Sequence, residues 1–464
     1  MLIAGGEVGG RPVDVRVAGD RIVAVGPGLD RRSGEDVVEA VGRAVIPALH
    51  DHHVHLRAMA AAHGSLDVGP AATADGGAFD ARLRAAAADL PPGAWVRAVG
   101  YHEAVAGPLD RHRLDAAVPD RPVRVQHRSG AQWVLNSAAL AAVGAGDHDR
   151  PGVETDVDGR PTGRLWRLDG WLARVTPPAP GDLGAVSRAA AERGVAGVTD
   201  ADPSRTQADV DALAAAARGG DIRQRVTVMS AGELALDAGA GLTAGPRKLL
   251  LDDATLPPVG EIAAWCAAAH DAGEPVAVHC VTRLQLVATL AALAECGTRA
   301  GDRIEHGAVV PPELRPELAR LGLTVVTQPN FVAERGDEYL TDVDPDDRPL
   351  LYPCASLLAA GVAVAAGTDS PFGGADPWAA VRAAVERRTR GGAVVGAGER
   401  VDPATALGLF LGRPDAPAVP RRVAPGAPAD LCVLDRPLAA VLAYPGPNPV
   451  AVTVARGRVV ADNR

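Results

Sequence analysis

The stretch VIPALHDHHVHL (residues 45–56) carries four of the chain's twelve histidines within six positions. Because side chains of an extended strand alternate between its two faces, these histidines divide into two pairs, His53 with His55 and His50 with His52. The first pair continues further past the end of the predicted strand. We therefore predict that His53 and His55 are metal ligands and that His50 and His52 are packing residues.

The rest of the chain predicts an α/β fold. Short β-rich runs, each followed by an Ala- and Leu-rich amphipathic stretch, recur at residues 194–200, 225–230, 247–252, 275–280, 303–307, 323–328 and 362–369. With residues 43–55 as the first strand there are eight βα units, the number in a TIM (β/α)8 barrel. An open doubly wound sheet has the same periodicity, and the count of eight favours the closed barrel.

Three regions are expected. Residues 47–422 form the barrel, and residues 1–46 and 423–464 pair as a small β-sandwich built from both termini. The final β-patterned segments (426–435 and 448–462) have no predicted helix between them. An inserted lobe of about residues 57–185, with strands of its own at 94–100 and 121–128, is expected between barrel strands 1 and 2, over the barrel mouth.

Composition excludes several functions. A net charge of −10 offers no basic face for nucleic acid or anionic lipid. The N-terminal residues alternate like strands and do not resemble a signal peptide, and no apolar run is long enough to span a membrane. The five cysteines lack C-x-x-C spacing, which predicts a reducing, cytoplasmic protein without disulfides. The expected partner is a small-molecule substrate, with a homo-oligomer possible.

Lys248 is exceptional because it is the single lysine among 47 basic residues. Lysine persists where arginine cannot replace it, as when a neutral amine must react. Lys248 lies on the fourth predicted strand, His279 ends the fifth, His306 the sixth and Asp369 the eighth. Since functional residues of TIM barrels lie at the carboxyl ends of the strands, these groups are expected to converge with His53 and His55 on one mouth. Asp51 shares the face of the two histidines as a candidate orienting residue.

These motifs resemble the amidohydrolase superfamily. IPALHDHHVHL is similar to its first-strand signature P-G-[FL]-x-D-x-H-x-H, with Ala48 in place of glycine. Further segments resemble its YtcJ-like (amidohydrolase 3) branch: RKLLLDD, RIEHGAVVPPE, GTDSPFGGADPWAAVRAAVERRT, DGRPTGRL and ADLCVLD. The segments DDATLPP (252–258) and CVTRL (280–284) depart from the branch at positions expected to shape the substrate pocket.

The resemblance implies a role for each matched residue. His53, His55 and Asp369 would bind one divalent metal ion, and His279 and His306 a second. Lys248 would carry a CO2-derived carbamate bridging both. Such ligands suit Zn²⁺, with Co²⁺, Mn²⁺ or Fe²⁺ as alternatives.

The implied chemistry is hydrolysis by a metal-activated water at the carbonyl carbon of an amide, formamide, urea, carbamate or thiocarbamate. Asp369 would act as general base and then general acid, and His306 belongs to the catalytic set. Asn330 or His102 is a candidate donor to the developing oxyanion. A mononuclear deaminase-like or phosphotriesterase-like hydrolase, or a non-catalytic binding barrel, are the alternatives.

Overall fold

The computed structural model describes residues 1–145, 150–179, 181–444 and 446–464. The chain divides into two compact units, each described here by itself. The first unit joins Met1–Leu56 to Leu183–Arg464, and the second comprises Arg57–Asp182.

An eight-stranded parallel barrel forms the centre of the first unit, which confirms the predicted TIM-barrel class. Each strand pairs in parallel with the next along the chain. In chain order, barrel strands 1 to 8 are Leu49–Val54, Val195–Asp200, Arg225–Ser230, Leu242–Leu249, Val276–Cys280, Arg303–His306, Thr324–Thr327 and Ala363–Ala366. Barrel strand 4 begins at Leu242, five residues before the predicted start at residue 247.

The barrel closes where the segment after strand 8 meets strand 1. Asp369 N donates to His53 O and His55 N donates to Ser370 O, both at 2.8 Å. Gly367 permits this approach, because a Cβ there would lie 2.5 Å from His53 N. The closing contact therefore places Asp369 beside the two histidines of strand 1.

Helices follow most of the barrel strands. Those of this unit are Leu183–Glu192, Gln207–Gly219, Val259–Asp271, Arg283–Cys296, Arg315–Arg320, Asn330–Asp342, Ala355–Ala359, Pro377–Glu386, Pro403–Gly408 and Leu438–Ala443. Short 3-10 turns lie at Ala238–Ala240, Asp253–Thr255, Pro312–Leu314, Arg348–Leu350 and Ala397–Glu399. Capping boxes at Thr206 and Thr282 satisfy the first backbone N–H groups of two helices that return the chain along the barrel.

Two four-stranded sheets from the chain ends pack against each other in this unit. One contains Leu2–Val8, Arg11–Ala18, Arg21–Gly26 and Val37–Glu39; the other contains Val45–Pro47, Leu431–Leu434, Val450–Ala455 and Arg458–Asp462. Buried apolar side chains from both sheets form one cluster: Ile3, Val15, Val17, Ile22, Val38, Ala40, Val45, Ala429, Leu431, Val433, Ala451, Val452 and Val454.

Two sequence predictions for this region are wrong. The stretch 43–55 is not one strand, since Val45–Pro47 pairs with Leu431–Leu434 and the barrel strand starts at Leu49. Pro47 has no N–H to donate, and Ala48 N still donates to Asp430 O of the terminal sheet. The chain leaves that sheet here and enters the barrel sheet at Leu49. A helix, Leu438–Ala443, separates the last β segments, where none was predicted.

The second unit contains a six-stranded mixed sheet. Its strands are Leu66–Asp67, Val96–Tyr101, Val123–His127, Gln132–Leu135, Val153–Thr155 and Pro161–Trp166. Its helices are Leu56–His63, which begins at the unit boundary, Gly76–Asp89, Glu103–Ala106, Arg111–Ala117, Ser137–Val143 and Asp169–Val175. Buried aliphatic and aromatic side chains, including Phe79, Leu83, Tyr101 and Leu114, give this unit its own core.

Among the described residues, the apolar stretches of the helices are too short for a membrane span. All five cysteines are free thiols.

Candidate metal centre

Most of the predicted site residues lie at the carboxyl ends of the barrel strands or in the segments that follow them. His53 and His55 belong to the end of strand 1, and Asp369 follows strand 8. The others in this unit are Lys248 on strand 4, His279 on strand 5, His306 at the end of strand 6 and Asn330 directly after strand 7.

His53, His55 and Asp369 form a three-residue group whose ligand atoms lie within 4.8 Å of one another. Asp369 Oδ1 is 3.2 Å from His55 Nε2 and 3.5 Å from His53 Nε2. His53 Nε2 and Asp369 Oδ1 are buried without a hydrogen-bond partner among the described residues. Because unsatisfied buried polar atoms are costly, and because two imidazoles and a carboxylate are a donor set that Zn²⁺ accepts, these residues fit a divalent metal ion.

The charge states also suit a metal site. Burial and the nearby Lys248 lower the pKa of His53 to about 3 despite Glu305, which keeps the imidazole neutral and able to ligate. Burial opposes ionisation of Asp369, but the close approach of His55 and favourable electrostatic interactions with the rings of His53 and His306 bring its pKa below the ordinary value. At neutral pH the site therefore presents the carboxylate of Asp369 beside the neutral imidazole of His53.

Glu305, which the sequence analysis did not select, holds His53 in place. The His53 Nδ1–H donates to Glu305 Oε2 in a short hydrogen bond, so Nε2 keeps its lone pair on the side of Asp369. Glu305 is fully buried and also accepts from Arg303. The sequence contained a signal for Glu305. Arg303 and Glu305 are two residues apart on one strand, so their side chains share a face and can form a buried ion pair.

Asp51 ties strand 1 to the segment after strand 8. Its carboxylate accepts from Thr368 N at 2.9 Å, from Thr368 Oγ1 at 2.6 Å and from His53 N at 3.2 Å. Burial raises the pKa of Asp51 to about 6 against these hydrogen bonds. Asp51 thus orients the backbone on both sides of the three-residue group.

His279 and His306 lie next to this group. Their ring centroids are 4.6 Å apart, and the ring of His306 is 4.8 Å from that of His53. The His306 Nδ1–H donates to Gln328 Oε1 at 2.8 Å; Gln328 is oriented by its own Nε2, which donates to Val326 O. This arrangement leaves His306 Nε2 as the atom available for ligation.

Lys248 is almost fully buried beside the same residues. Its Nζ lies 4.0 Å from Glu305 Oε2 and has no hydrogen-bond partner in the described part of the chain. Burial is the largest effect and lowers its pKa, partly offset by the charge of Glu305. A lowered pKa increases the fraction of neutral amine, the form that reacts with CO2.

Two site residues have unusual backbone conformations. His306 has a φ of 70° and Asp369 a φ of 54°, in the left-handed region that side chains other than glycine seldom adopt. Such conformations cost about 1–3 kcal/mol each and are concentrated at functional sites.

The remaining predicted residues have other contacts. Asn330 is buried, and its amide nitrogen donates to Thr368 O at 3.0 Å and to Glu334 Oε1 at 3.3 Å. Both amide hydrogens are therefore used, and Asn330 is not placed to donate to an oxyanion in this structure. His50 is buried with its Nε2 2.9 Å from Thr199 Oγ1.

His102 belongs to the second unit. Its Nδ1 accepts from Ala104 N at 3.2 Å and so caps the helix Glu103–Ala106. With Glu103 and His127 it forms a separate group of potential ligands. Nδ1 of His127 likewise accepts from Ser129 N, and its Nε2 lies 3.1 Å from Glu103 Oε2. These contacts indicate that His127 is the Nε2–H tautomer and donates to Glu103, whereas His102 Nε2 lies 3.9 Å from Glu103 Oε2, beyond hydrogen-bond distance.

Comparison with known proteins agrees with the barrel fold. The family model described as "Amidohydrolase family" (amidohydrolase 3) matches residues 36–461. The N-substituted formamide deformylase of Arthrobacter pascens is 26% identical, covering 91% of this chain and 90% of the relative. YtcJ of Bacillus subtilis (strain 168) is 25% identical, covering 75% and 74% respectively. A metal-dependent hydrolase from Pyrococcus furiosus has a similar fold, with a TM-score of 0.69 at 19% identity, covering 94% of this chain and 99% of that one.

The fold and the family match together define a metal-dependent hydrolase. The chain belongs to the amidohydrolase family.

Proposed function

We propose that this protein hydrolyses a C–N bond at a carbonyl carbon, in an amide, formamide, urea, carbamate or thiocarbamate. The observation that carries the proposal is the group of His53, His55 and Asp369, in which His53 Nε2 and Asp369 Oδ1 are buried, unpaired among the described residues and 3.5 Å apart. The name of the Arthrobacter pascens relative supports N-substituted formamides as the first substrates to test.

His53, His55 and Asp369 would hold one divalent ion such as Zn²⁺, and His279 and His306 would contribute to a second. When bound, such an ion supplies Lewis-acid chemistry, lowering the pKa of water and polarising a carbonyl. Lys248 would bridge the two positions after its neutral amine adds to the carbon of CO2, forming an N–C bond and releasing one proton.

Asp369 has the proton-transfer role. It is ionised at neutral pH because its pKa is lowered, so it can accept a proton from the attacking water. It then returns that proton to the leaving nitrogen, which departs as a neutral amine. Glu305 keeps the proton of His53 on Nδ1, and Gln328 does the same for His306, so Nε2 of each ring would be the atom that binds an ion.

A mononuclear, deaminase-like hydrolase is the second candidate. It is favoured by the 4.0 Å approach of Lys248 Nζ to Glu305, because a protonated lysine held as an ion pair cannot become a carbamate. In this case one ion at His53, His55 and Asp369 would suffice.

Metal content per chain separates the two. It should be measured by elemental analysis on wild type, Lys248→Ala and Asp369→Asn, all purified with bicarbonate and without chelator. Asp302→Asn is a matched control, since Asp302 is an equally buried carboxylate that binds Val276 N and lies at the amino end of strand 6.

Two ions in wild type and one or none in Lys248→Ala would support the bridged site. One ion in both would support the mononuclear candidate. Wild type without metal, or Asp369→Asn with the metal content and formamide hydrolysis of wild type, would refute the proposed function. The control should match wild type.

A further inference from the structure

The segment that carries Asp369 is held on one side by strand 1 and on another by a helix. We call Thr368–Gly374 the strand-8 loop and Asn330–Asp342 the clamp helix. Asn330 Nδ2 donates to Thr368 O at 3.0 Å, and both carboxylate oxygens of Glu334 accept from Gly374 N at 3.1 Å. Arg335 donates to Phe372 O in a short hydrogen bond. These contacts join the first turns of the clamp helix to the beginning, middle and end of the loop.

Spacing along the helix makes this possible. Asn330 and Glu334 are four residues apart, which places them one above the other on the same helix face. They also contact each other, since Asn330 Nδ2 lies 3.3 Å from Glu334 Oε1. The two side chains therefore act as a connected pair and fix each other's orientation.

The loop is packed too closely for ordinary side chains. A Cβ added at Gly373 would lie 2.3 Å from Thr368 O and 2.4 Å from Asn330 Nδ2. One added at Gly374 would lie 3.0 Å from Glu334 Oε1. Both glycines are thus explained by the contact with the clamp helix.

This loop controls the position of Asp369. The residue has a φ of 54°, and its carbonyl accepts from Phe372 N at 2.8 Å and from Gly373 N at 3.0 Å in a tight turn. The ring of Phe372 lies against that of His55, with centroids 5.2 Å apart. A strained turn persists when its surroundings hold it, so displacement of the loop would move Asp369 relative to His53 and His55.

We propose that Glu334 and Asn330 are positioning residues that hold the strand-8 loop in the conformation that aims Asp369 at the metal centre. The inference rests on the proposed function in one respect, the assignment of Asp369 as a metal ligand. Glu334 touches neither a ligand nor the reacting atoms, and it acts through the backbone of Gly374.

The test compares Glu334→Ala, which removes the acceptor, with Glu334→Gln, which retains an oxygen for Gly374 N. Glu338→Ala is the matched control, because Glu338 is a buried carboxylate one turn further along the same helix that pairs with Arg390 at 2.7 Å. Metal-free proteins are titrated with Zn²⁺ in competition with a chromophoric chelator. Hydrogen exchange of residues 368–374 is followed in the same metal-free samples.

We expect Glu334→Ala to weaken Zn²⁺ binding by on the order of tenfold and to speed hydrogen exchange in the strand-8 loop. Glu334→Gln should recover most of the affinity, and Glu338→Ala should retain wild-type affinity and exchange in that loop. Zn²⁺ affinity of Glu334→Ala within twofold of wild type, or equal to that of Glu338→Ala, would overturn the inference.

Asp369→Asn separates this failure from failure of the proposed function. If Asp369→Asn loses Zn²⁺ affinity and Glu334→Ala does not, the positioning role is wrong and the metal site stands. If Asp369→Asn binds Zn²⁺ like wild type, the ligand assignment is wrong and the inference falls with it.

Discussion

Glu305→Gln should weaken metal binding and destabilise the barrel while changing a single atom of the side chain. Glu305 is fully buried and accepts from His53 Nδ1 and from Arg303, with Lys248 Nζ at 4.0 Å. Glutamine keeps one acceptor oxygen but presents an NH2 group to surroundings made of donors. Either Arg303 or His53 must then lose its acceptor.

The expected magnitudes follow from that burial. Arg303 is 1% exposed, and removing the charge partner of a buried cation costs about 3–5 kcal/mol of unfolding free energy. Loss of the partner that fixes a ligating histidine typically weakens metal affinity by about 10- to 100-fold. Chemical denaturation of the metal-free protein measures the first effect, and Zn²⁺ titration against a chromophoric chelator measures the second.

Glu317→Gln provides the control, because Glu317 pairs with Arg320 at 2.6 Å on the surface and should leave both quantities unchanged. If folded Glu305→Gln bound Zn²⁺ as tightly as wild type, Glu305 would not control the tautomer of His53. The reasoning about the metal centre would then be refuted at its central contact.

Three further predictions concern the closure of the barrel, the second unit and the metal. Gly367→Ala should lower the unfolding free energy by about 1–3 kcal/mol or more, because its Cβ would clash with His53. The control Gly260→Ala, in a helix with open space around the position, should raise it by about 0.5–1 kcal/mol. Equal denaturation midpoints for the two variants would contradict this prediction. The hydrogen bond with His127 lowers the pKa of Glu103 to about 2, so the folded state binds fewer protons between about pH 4.5 and 2. Glu103→Gln should therefore lower the melting temperature at pH 6, with a difference that shrinks as pH falls through this window. A difference that stays constant with pH would show that the folded state does not favour the Glu103 carboxylate. Chelation should abolish hydrolysis and added Zn²⁺ restore it, and retention of full activity in a protein shown to be metal-free would exclude metal dependence.

The fold was largely predictable because its signals are local. Barrel strand 3 has the predicted bounds, residues 225–230, and the helix Val259–Asp271 lies in one of the amphipathic stretches between the β-rich runs. The errors lie where a short segment joins a distant partner. In the sequence, Val45–Pro47 looks like the beginning of the barrel strand. Its pairing with Leu431–Leu434, nearly 390 residues away, is determined by the tertiary structure.

The candidate ligands were also accessible from the sequence. Period-two alternation indicated His53 and His55, and Lys248 stood out because it is the single lysine of the sequence. The position of His306 at the end of a strand predicted that it lies at the same barrel mouth. The direction of its side chain needed the structure, because a φ of 70° takes its backbone out of the extended conformation.

What the sequence determined by itself is the eight-unit barrel and the residue types at its strand ends, since both depend on short-range periodicity. The tertiary structure alone decided which side chains hold those residues in place. Glu305 reaches His53 across 252 positions, and Asn330 reaches Thr368 across 38. Such contacts arise when the barrel closes and strand 8 meets strand 1, and no local pattern encodes that geometry.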